Sequence, residues 1–577
     1  MSGLTEEQRA VSEAPVGARQ LVIAGPGTGK THTLVARLAH LVEEEEVFSG
    51  AVLALSFSRA AVNELRRRLR ASGDDASRIV PVTFDSFATR ILANVDPDGE
   101  WTTKSFDGRI EAAIGKIAQI GESLDEVKHV VVDELQDLVG VRMRFVRALL
   151  KEFDAGFTLL GDPAQGIYDF SLEDEADPEV DGSPALYSWL RETYDGSLVE
   201  RSLTVNHRAR SEVAKEAASL GPMVVDAPAE AGERLWSLLR AAPEPPSLKL
   251  IGMSPARTAI LCRNNGEALW VSRALRRNGV DRRLQRRAID RAVAPWVARF
   301  ARSAGPMLLS RGQFETTLAN LEGDVPDPDE VWGALRRAAR ADAGIDVERL
   351  VHRLREGIVP DELHATPDSL ITVSTVHRAK GLEFDRVLVV RSGWKTPFDD
   401  DGARTLFVAL SRTIEDLMQL DLPDIGGQLK KHWSDRWLWT GWKGWPTHGV
   451  EVRPDDVDVV NPPGTGRADT DPNEVQLRLA SEVKPGDSVV IERVRAVVGG
   501  GAIYRIDSNS GPLGLMNERF GVDIGKITRG KYPRRIEGVT VDSVRSVGGD
   551  PLVADQVGLG PAGAWLVPAL SGLGQFE

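Results

Sequence analysis

Cysteine is nearly missing from this chain. Its 577 residues include one, Cys262, which excludes an internal disulfide framework and a thiolate zinc cluster. The surrounding string TAILCRN reads as a buried strand, so the thiol is expected to serve packing rather than chemistry. Long apolar runs are missing too. No stretch of about 18 apolar residues occurs, and the opening MSGLTEEQRAVSEAP has no charged segment leading into an apolar one. A cytoplasmic protein with no membrane contact is the expectation. Positive charge is in deficit: 71 basic residues against 85 acidic ones leave a net charge of −14. That is the wrong sign for a protein that coats nucleic acid with its whole surface, so any nucleic-acid site must be local. The nine histidines show no metal-ligand spacing.

A chain of this length exceeds one hydrophobic core, and two to four domains are expected from its ordinary 42% hydrophobic content. Short apolar runs recur: QLVIA (20–24), AVLALSF (51–57), HVVVDE (129–134), FTLLGD (157–162), TAILCR (258–263), LITVST (370–375) and RVLVV (386–390). Helical patterns separate most of them, which argues for two α/β domains with parallel sheets. Residues 88–126 and 291–365 read as short helical inserts. The arginine runs at 64–70 and 273–287 read most simply as solvated helix faces. Five tryptophans between 433 and 445, set among Lys and Arg, are expected to anchor the end of the second α/β domain, with a base-stacking or partner-binding patch as the alternative. Residues 446–480, rich in Pro, Gly and Asp, read as a linker. From 481 to 577 the pattern turns β-rich, as SVVIERV, AIYRID, VTVDSVRSV and AWLVPAL, and implies a small accessory domain.

Chemistry enters at residue 24. The string from Ala24 through Gly29, Lys30 and Thr31 matches a phosphate-binding loop, with Ala24 where the usual pattern has glycine. Glycines at 25, 27 and 29 let backbone amides curl around phosphate oxygens. Lys30 can neutralise the β- and γ-phosphates of ATP, and the Thr31 hydroxyl can ligate Mg²⁺ at a helix N-terminus. VVVDELQD supplies the complement: Asp133 to hold Mg²⁺ and Glu134 as the base for an attacking water.

In chain order, LTEEQRAV, AGPGTGKTHTL, LSFSRAAVNELRRRL, VTFDSFATRIL, VVVDELQD, LLGDPAQGIYDF, LTVNHRARSEV, ITVSTVHRAKGLEFDRVLVV and RTLFVALSRTIEDL span about residues 4 to 420. Together they resemble the motif series of UvrD/Rep-type superfamily 1A helicases. The resemblance implies an α/β fold of two RecA-like parallel-sheet motor domains with short helical inserts, plus the β-rich C-terminal domain. The first motor domain would take 1–87 and 127–205, with insert 88–126; the second 206–290 and 366–445, with insert 291–365. It also implies an ATP-hydrolysing DNA helicase or translocase that moves 3′ to 5′ on single-stranded or tailed duplex DNA. ATP and Mg²⁺ would be the cofactors.

Residue roles follow from the same likeness. Gln8 would read adenine, and Ala24, Gly25, Gly27, Thr28, Gly29, Lys30, Thr31 and His32 would cradle the phosphates. Gln165 would sense the γ-phosphate, Glu383 would touch the ribose, and Arg208 and Arg412 would act as arginine fingers. Phe57, Phe84, Phe87, Tyr168, Phe170 and His377 would contact DNA, chiefly by stacking. Three departures stand out. His207 occupies the place of an adenine-stacking tyrosine, the usual Arg-Gly-Ala after Phe170 is replaced by SLEDEADPE, and the insert at 291–365 is small. A translocase without unwinding, or a nucleotide-gated switch working with a protein partner through the C-terminal domain, therefore stays open beside the helicase reading.

Overall fold

Alternation of apolar side chains along six strands builds the first sheet. These are β1 (Arg19–Ala24), β2 (Val52–Ser56), β3 (Val82–Thr83), β4 (His129–Val132), β5 (Gly156–Gly161) and β6 (Leu198–Leu203), all parallel in the order β3-β2-β4-β5-β1-β6. Leu21, Leu53, Leu55, Val130, Val132, Phe157 and Leu159 enter one core cluster. Their neighbours Val22, Val52, Ala54, Val131 and Leu160 enter another on the opposite face. A period of two thus covers both faces, as a parallel sheet requires. Each large aliphatic or aromatic side chain so buried contributes roughly 1.5–3 kcal/mol.

The computed structural model describes residues 3–73, 75–96, 101, 104–119, 126–153, 155–167, 182–285, 292–323, 325–339, 344–357, 359–365, 369–422, 424, 426–442, 446–465, 470–497 and 501–577. The chain divides into two compact units. The first is Met1–Pro243, Ala379–Val387 and Trp394–Met418; the second is Glu244–Arg378, Leu388–Gly393 and Gln419–Glu577. Among the described residues no helix is long and apolar enough to cross a membrane.

Strands β7 (Thr258–Cys262) and β8 (Arg283–Leu284) come next, and Leu308–Leu309 (β9) and Ile345–Asp346 (β10) form a small antiparallel pair. The second α/β sheet has the order β13-β12-β7-β11-β8 and adds β11 (Ile371–Thr375), β12 (Phe384–Val390) and β13 (Thr413–Leu420). Strand β11 runs parallel to both β7 and β8. Cys262 lies fully buried in β7.

A third, antiparallel sheet closes the second unit: β14 (Gln428–Lys431), β15 (Trp437–Thr440), β16 (Thr447–Val452), β17 (Ser488–Val497), β18 (Gly501–Ser508), β19 (Gly511–Leu515), β20 (Arg535–Gly548) and β21 (Ala564–Phe576). Its order is β14-β15-β16-β21-β20-β17-β18-β19. Residues 446–480, expected as a linker, therefore contain strand β16, paired with β21, and a helix at Pro472–Ser481. The sequence THGVEV carries the strand inside a Pro- and Asp-rich stretch, and Val450 and Val452 are fully buried. Of the tryptophans, Trp437 and Trp439 lie in β15 of this sheet, Trp433 and Trp442 are exposed, and Trp445 lies outside the described residues.

The helical insert is not a separate body either. Val297, Phe300, Leu335 and Leu350 share one core with Val489, Tyr504, Phe520, Val541 and Leu566 of the C-terminal strands and helix. The arginine run 273–287, expected to face solvent, packs inward at several points. Arg273 is 4% exposed, donates to the Leu573 carbonyl at 2.7 Å and lies 5.1 Å from the Trp439 ring centre. Burial draws the Arg273 and Arg282 guanidinium pKa values down to about 10, still cationic at neutral pH. The earlier run keeps its solvated character, with Arg67 and Arg68 bridging to Glu64 on an exposed turn.

Candidate active site

The loop after β1 can curl because two glycines take backbone angles that side chains resist. Gly27 has φ 76° and Gly29 φ 84°. A Cβ at Gly27 would lie 2.7 Å from the Arg208 Cβ, and one at Gly29 would lie 2.6 Å from Gln8 Nε2. Gln8 is buried and fixed from two sides. Its Oε1 accepts the Thr5 amide in a capping box, and its Nε2 donates to the Thr28 carbonyl at 3.0 Å. Behind the loop, Asn206 Nδ2 donates to the Pro26 carbonyl at 2.8 Å and the His207 amide donates to the Gly27 carbonyl at 2.9 Å. Lys30 Nζ donates to the Ala24 carbonyl at 3.0 Å, and Thr28 Oγ1 to the Gly25 carbonyl at 2.9 Å. Ala24 is buried, Thr31 half-buried and His32 exposed.

At the end of β4, Asp133 and Glu134 arrive together. Glu134 has φ 55° and ψ 51°, a left-handed conformation that a non-glycine residue holds at a cost of about 1–3 kcal/mol and that concentrates at functional sites. Gln136 Nε2 donates to the Glu134 carboxylate, and Gln136 Oε1 accepts the Asp162 amide at 2.9 Å. Gln165 Nε2 donates to Asp162 Oδ2 at 2.6 Å, and Arg412 Nη2 donates to Gln165 Oε1 at 2.8 Å. Lys380 Nζ donates to the Asp137 carboxylate and to the Gln165 carbonyl, the latter at 2.6 Å. Arg208 pairs with Glu383 at 2.9 Å, and its Nη1 is buried with no hydrogen-bond partner among the described residues.

Burial sets the electrostatics. It raises the Asp133 carboxyl to about 7, helped by the neighbouring Glu134 and opposed by Lys30. Burial alone would raise Glu134 as well, but Lys30, Lys380, the Gln136 amide and Arg412 outweigh it and hold that carboxyl below its ordinary range. Asp137 rises to about 6 through burial in spite of Lys380. Arg412 falls to about 10 through burial and the charge of Arg208, and it stays cationic at neutral pH. The result is a charged base at Glu134 beside an aspartate whose charge lacks full compensation.

That donor set fits a nucleotide with a divalent cation. Glycine amides, Lys30 and the unpartnered Arg208 Nη1 suit phosphate oxygens, while Thr31 and Asp133 offer the hydroxyl and carboxylate that Mg²⁺ takes alongside phosphates. All the residues assigned to the nucleotide belong to the first unit, Arg208, Glu383 and Arg412 included.

Residues 4–113 and 116–177 match the UvrD/REP helicase N-terminal domain, and residues 370–418 match the UvrD-like helicase C-terminal domain. Two segments of the chain are thus similar to the N-terminal and C-terminal domains of UvrD/REP-type helicases. The ATP-dependent DNA helicase UvrD2 of Mycobacterium tuberculosis is 33% identical over 147 residues, 24% of this chain and 20% of that protein. PcrA of Leuconostoc citreum is 44% identical over 82 residues, covering 14% and 10%. SRS2 of Saccharomyces cerevisiae is 25% identical over 274 residues, covering 30% and 23%. The chain thus spans about a fifth of the length of UvrD2.

The residues expected to contact DNA do not form one group. Phe84 and Phe87 are 1% and 2% exposed in the core of the first unit, where helical spacing with Ala88 and Ile91 turns them inward. They are packing residues, not stacking platforms. Phe57 is half-buried, with the Arg142 guanidinium 5.9 Å from its ring centre. His377 lies in the short helix Val376–Ala379 of the second unit. Tyr168 and Phe170 lie outside the described residues. Sequence reasoning passed over Asn206, Gln136, Asp137, Asp162 and Lys380. The signals were present in VVVDELQD, LLGDPAQ, LTVNHRA and HRAKGLEF, polar residues placed directly beside strand ends.

Proposed function

We propose that this protein is a single-stranded DNA motor of the cytoplasm: an Mg²⁺-dependent ATPase, stimulated by DNA, that steps 3′ to 5′ and uses the steps to separate duplex. The observation that carries the reading is the buried chain from Glu134 through Gln136, Asp162 and Gln165 to Arg412. A carboxylate held charged, a glutamine amide and a guanidinium in one hydrogen-bonded series are the groups that γ-phosphoryl transfer to water needs. Glu134 takes the proton of the attacking water. Gln165 orients that water and reports the γ-phosphate to Arg412 and Lys380, which share it. Lys30, Arg208 and Arg412 offset the charge that spreads over the transferring phosphoryl oxygens, a contribution on the order of 10³ to 10⁵ in rate for such arginines. Thr31 and Asp133 would hold Mg²⁺, which would supply positive charge to the phosphate oxygens. Gln8 and His207 face the adenine, and Glu383 the ribose.

The names of the relatives, ATP-dependent DNA helicases, support the same assignment. One observation favours the narrower reading of translocation without unwinding: the insert at 291–365 shares its core with the C-terminal sheet instead of forming an arm of its own. Strand displacement from duplexes bearing a 3′ or a 5′ tail decides between them. Displacement from the 3′ tail alone is expected. No displacement from either, with ATP turnover intact, would establish the translocase.

A further inference from the structure

We infer that the C-terminal sheet carries a second nucleic-acid contact, a stacking platform at Trp433 with Lys526 beside its ring and Lys430 and Lys531 on the adjoining chain segments, that takes single-stranded DNA by its bases and phosphates without reading sequence. The tryptophans of this segment divide sharply. Trp437 and Trp439 pack into β15, whereas Trp433, in the turn between β14 and β15, is 72% exposed. An indole left in water costs apolar hydration that folding normally removes, and the ring's contacts, the His432 ring 4.9 Å away and the Lys526 ammonium, leave most of it open to solvent. The turn itself is held by the His432 amide donating to the Arg436 carbonyl and the Asp435 amide donating to the His432 carbonyl, bonds that do not involve the indole.

Charge gathers at the same place. The Lys526 ammonium lies 5.2 Å from the Trp433 ring centre, which joins the β14–β15 turn to the end of the helix Glu518–Ile527. Lys430, Lys526 and Lys531 are exposed and form no ion pair with a described acid. The acids beside them are committed: Asp435 to Lys431 at 2.8 Å, and Asp523 to the buried Arg436 at 2.9 Å. In a chain of net charge −14, one uncompensated lysine at an exposed indole, with two more on the segments that meet there, is a local exception to the general acidity. A flat π face with cations at its rim matches a single strand, whose bases stack on any aromatic ring while its phosphates meet the lysines. An acidic polypeptide would use the lysines and leave the indole without a role.

The inference goes beyond the motor assignment and is tested apart from it. Binding of a fluorescein-labelled oligothymidine to the full chain is followed by anisotropy over a salt series, with ATP turnover in the absence of DNA measured in parallel. Trp433→Ala is expected to weaken binding about tenfold, as loss of one stacked base does, while Trp433→Phe retains most of the affinity. Lys526→Ala combined with Lys531→Ala is expected to lower the slope of log affinity against log salt by roughly 1.4, two single-strand phosphate contacts. DNA-free ATP turnover stays at the wild-type level in all three. Unchanged affinity and slope in these variants, with binding weakened by Phe57→Ala, would overturn this inference and leave the motor intact. Capture of a polyglutamate peptide that depends on the lysines but not on Trp433 would overturn it in favour of an acidic protein partner.

Discussion

At the scale of single residues, the account rests on which side chains the first unit has buried and charged together. Lys30→Ala should weaken nucleotide binding, whereas Glu134→Gln should keep nucleotide bound and abolish turnover, since the amide is isosteric but accepts no proton. Filter binding of labelled ATP beside a phosphate-release assay checks both; near-normal turnover in either variant contradicts the assigned roles. Lys380 and Asp137 form a buried pair, 5% and 7% exposed. Removing one partner strands the other, so Lys380→Met should cost roughly 3–5 kcal/mol in urea unfolding, while Lys380→Met with Asp137→Asn should recover much of it. Equal, additive losses would show that the two do not interact. These residues were only partly legible in the sequence. Lys30, Asp133 and Glu134 declare themselves through a strand that ends in a loop or an acidic pair. Asp137 and Lys380 meet across 243 positions of chain, and no local pattern predicts such a pairing.

At the scale of elements, β4 carries a histidine whose role is structural and whose titration is measurable. His129 Nδ1 donates to the Val16 carbonyl at 2.7 Å, and Nε2 accepts from Thr158 Oγ1 at 2.9 Å. Gly156 opposite has no Cβ because one would lie 1.9 Å from the Val16 carbonyl and 2.8 Å from that imidazole. Burial, with Arg37 nearby, lowers the His129 pKa from 6.5 to about 3. A base whose folded pKa is depressed stabilises the fold above its unfolded value and loses that contribution as the pH falls toward the folded one. The stability advantage of wild type over His129→Asn, read from urea midpoints, should therefore shrink as pH is lowered from 6.5 toward 3. A difference constant across that range would contradict it. Sequence reading recovered the central strands β1, β2, β4, β5, β7, β11 and β12 because each is a continuous apolar run. It missed β6, whose LVERSL leaves Val199, Glu200 and Ser202 exposed beside β1 and so shows no continuous apolar run. It missed β16 because a six-residue strand sat within turn-forming composition.

At the scale of the whole molecule, the sequence implies a linker and then a small accessory domain, and the second unit instead joins that region to the insert. The helices of 291–365 and the strands beyond 481 bury each other in one core, with Phe300 and Leu350 among the residues fully enclosed by it. Pairing of distant segments is invisible to local composition, which is why a stretch rich in Pro and Asp read as a linker. A chain ending at residue 480 should expose those side chains and lose protease resistance across 292–365; a truncated chain as resistant as the full one there would contradict the shared core. The proposed motor rests on the first unit, which holds the glycine loop, Glu134, Gln165, Arg208 and Arg412. Steady-state ATP hydrolysis measured with and without single-stranded DNA tests it most directly. Mg²⁺-dependent turnover is expected to rise when DNA is added and to disappear in Glu134→Gln. Turnover indifferent to DNA would contradict the motor and leave a nucleotide switch in its place.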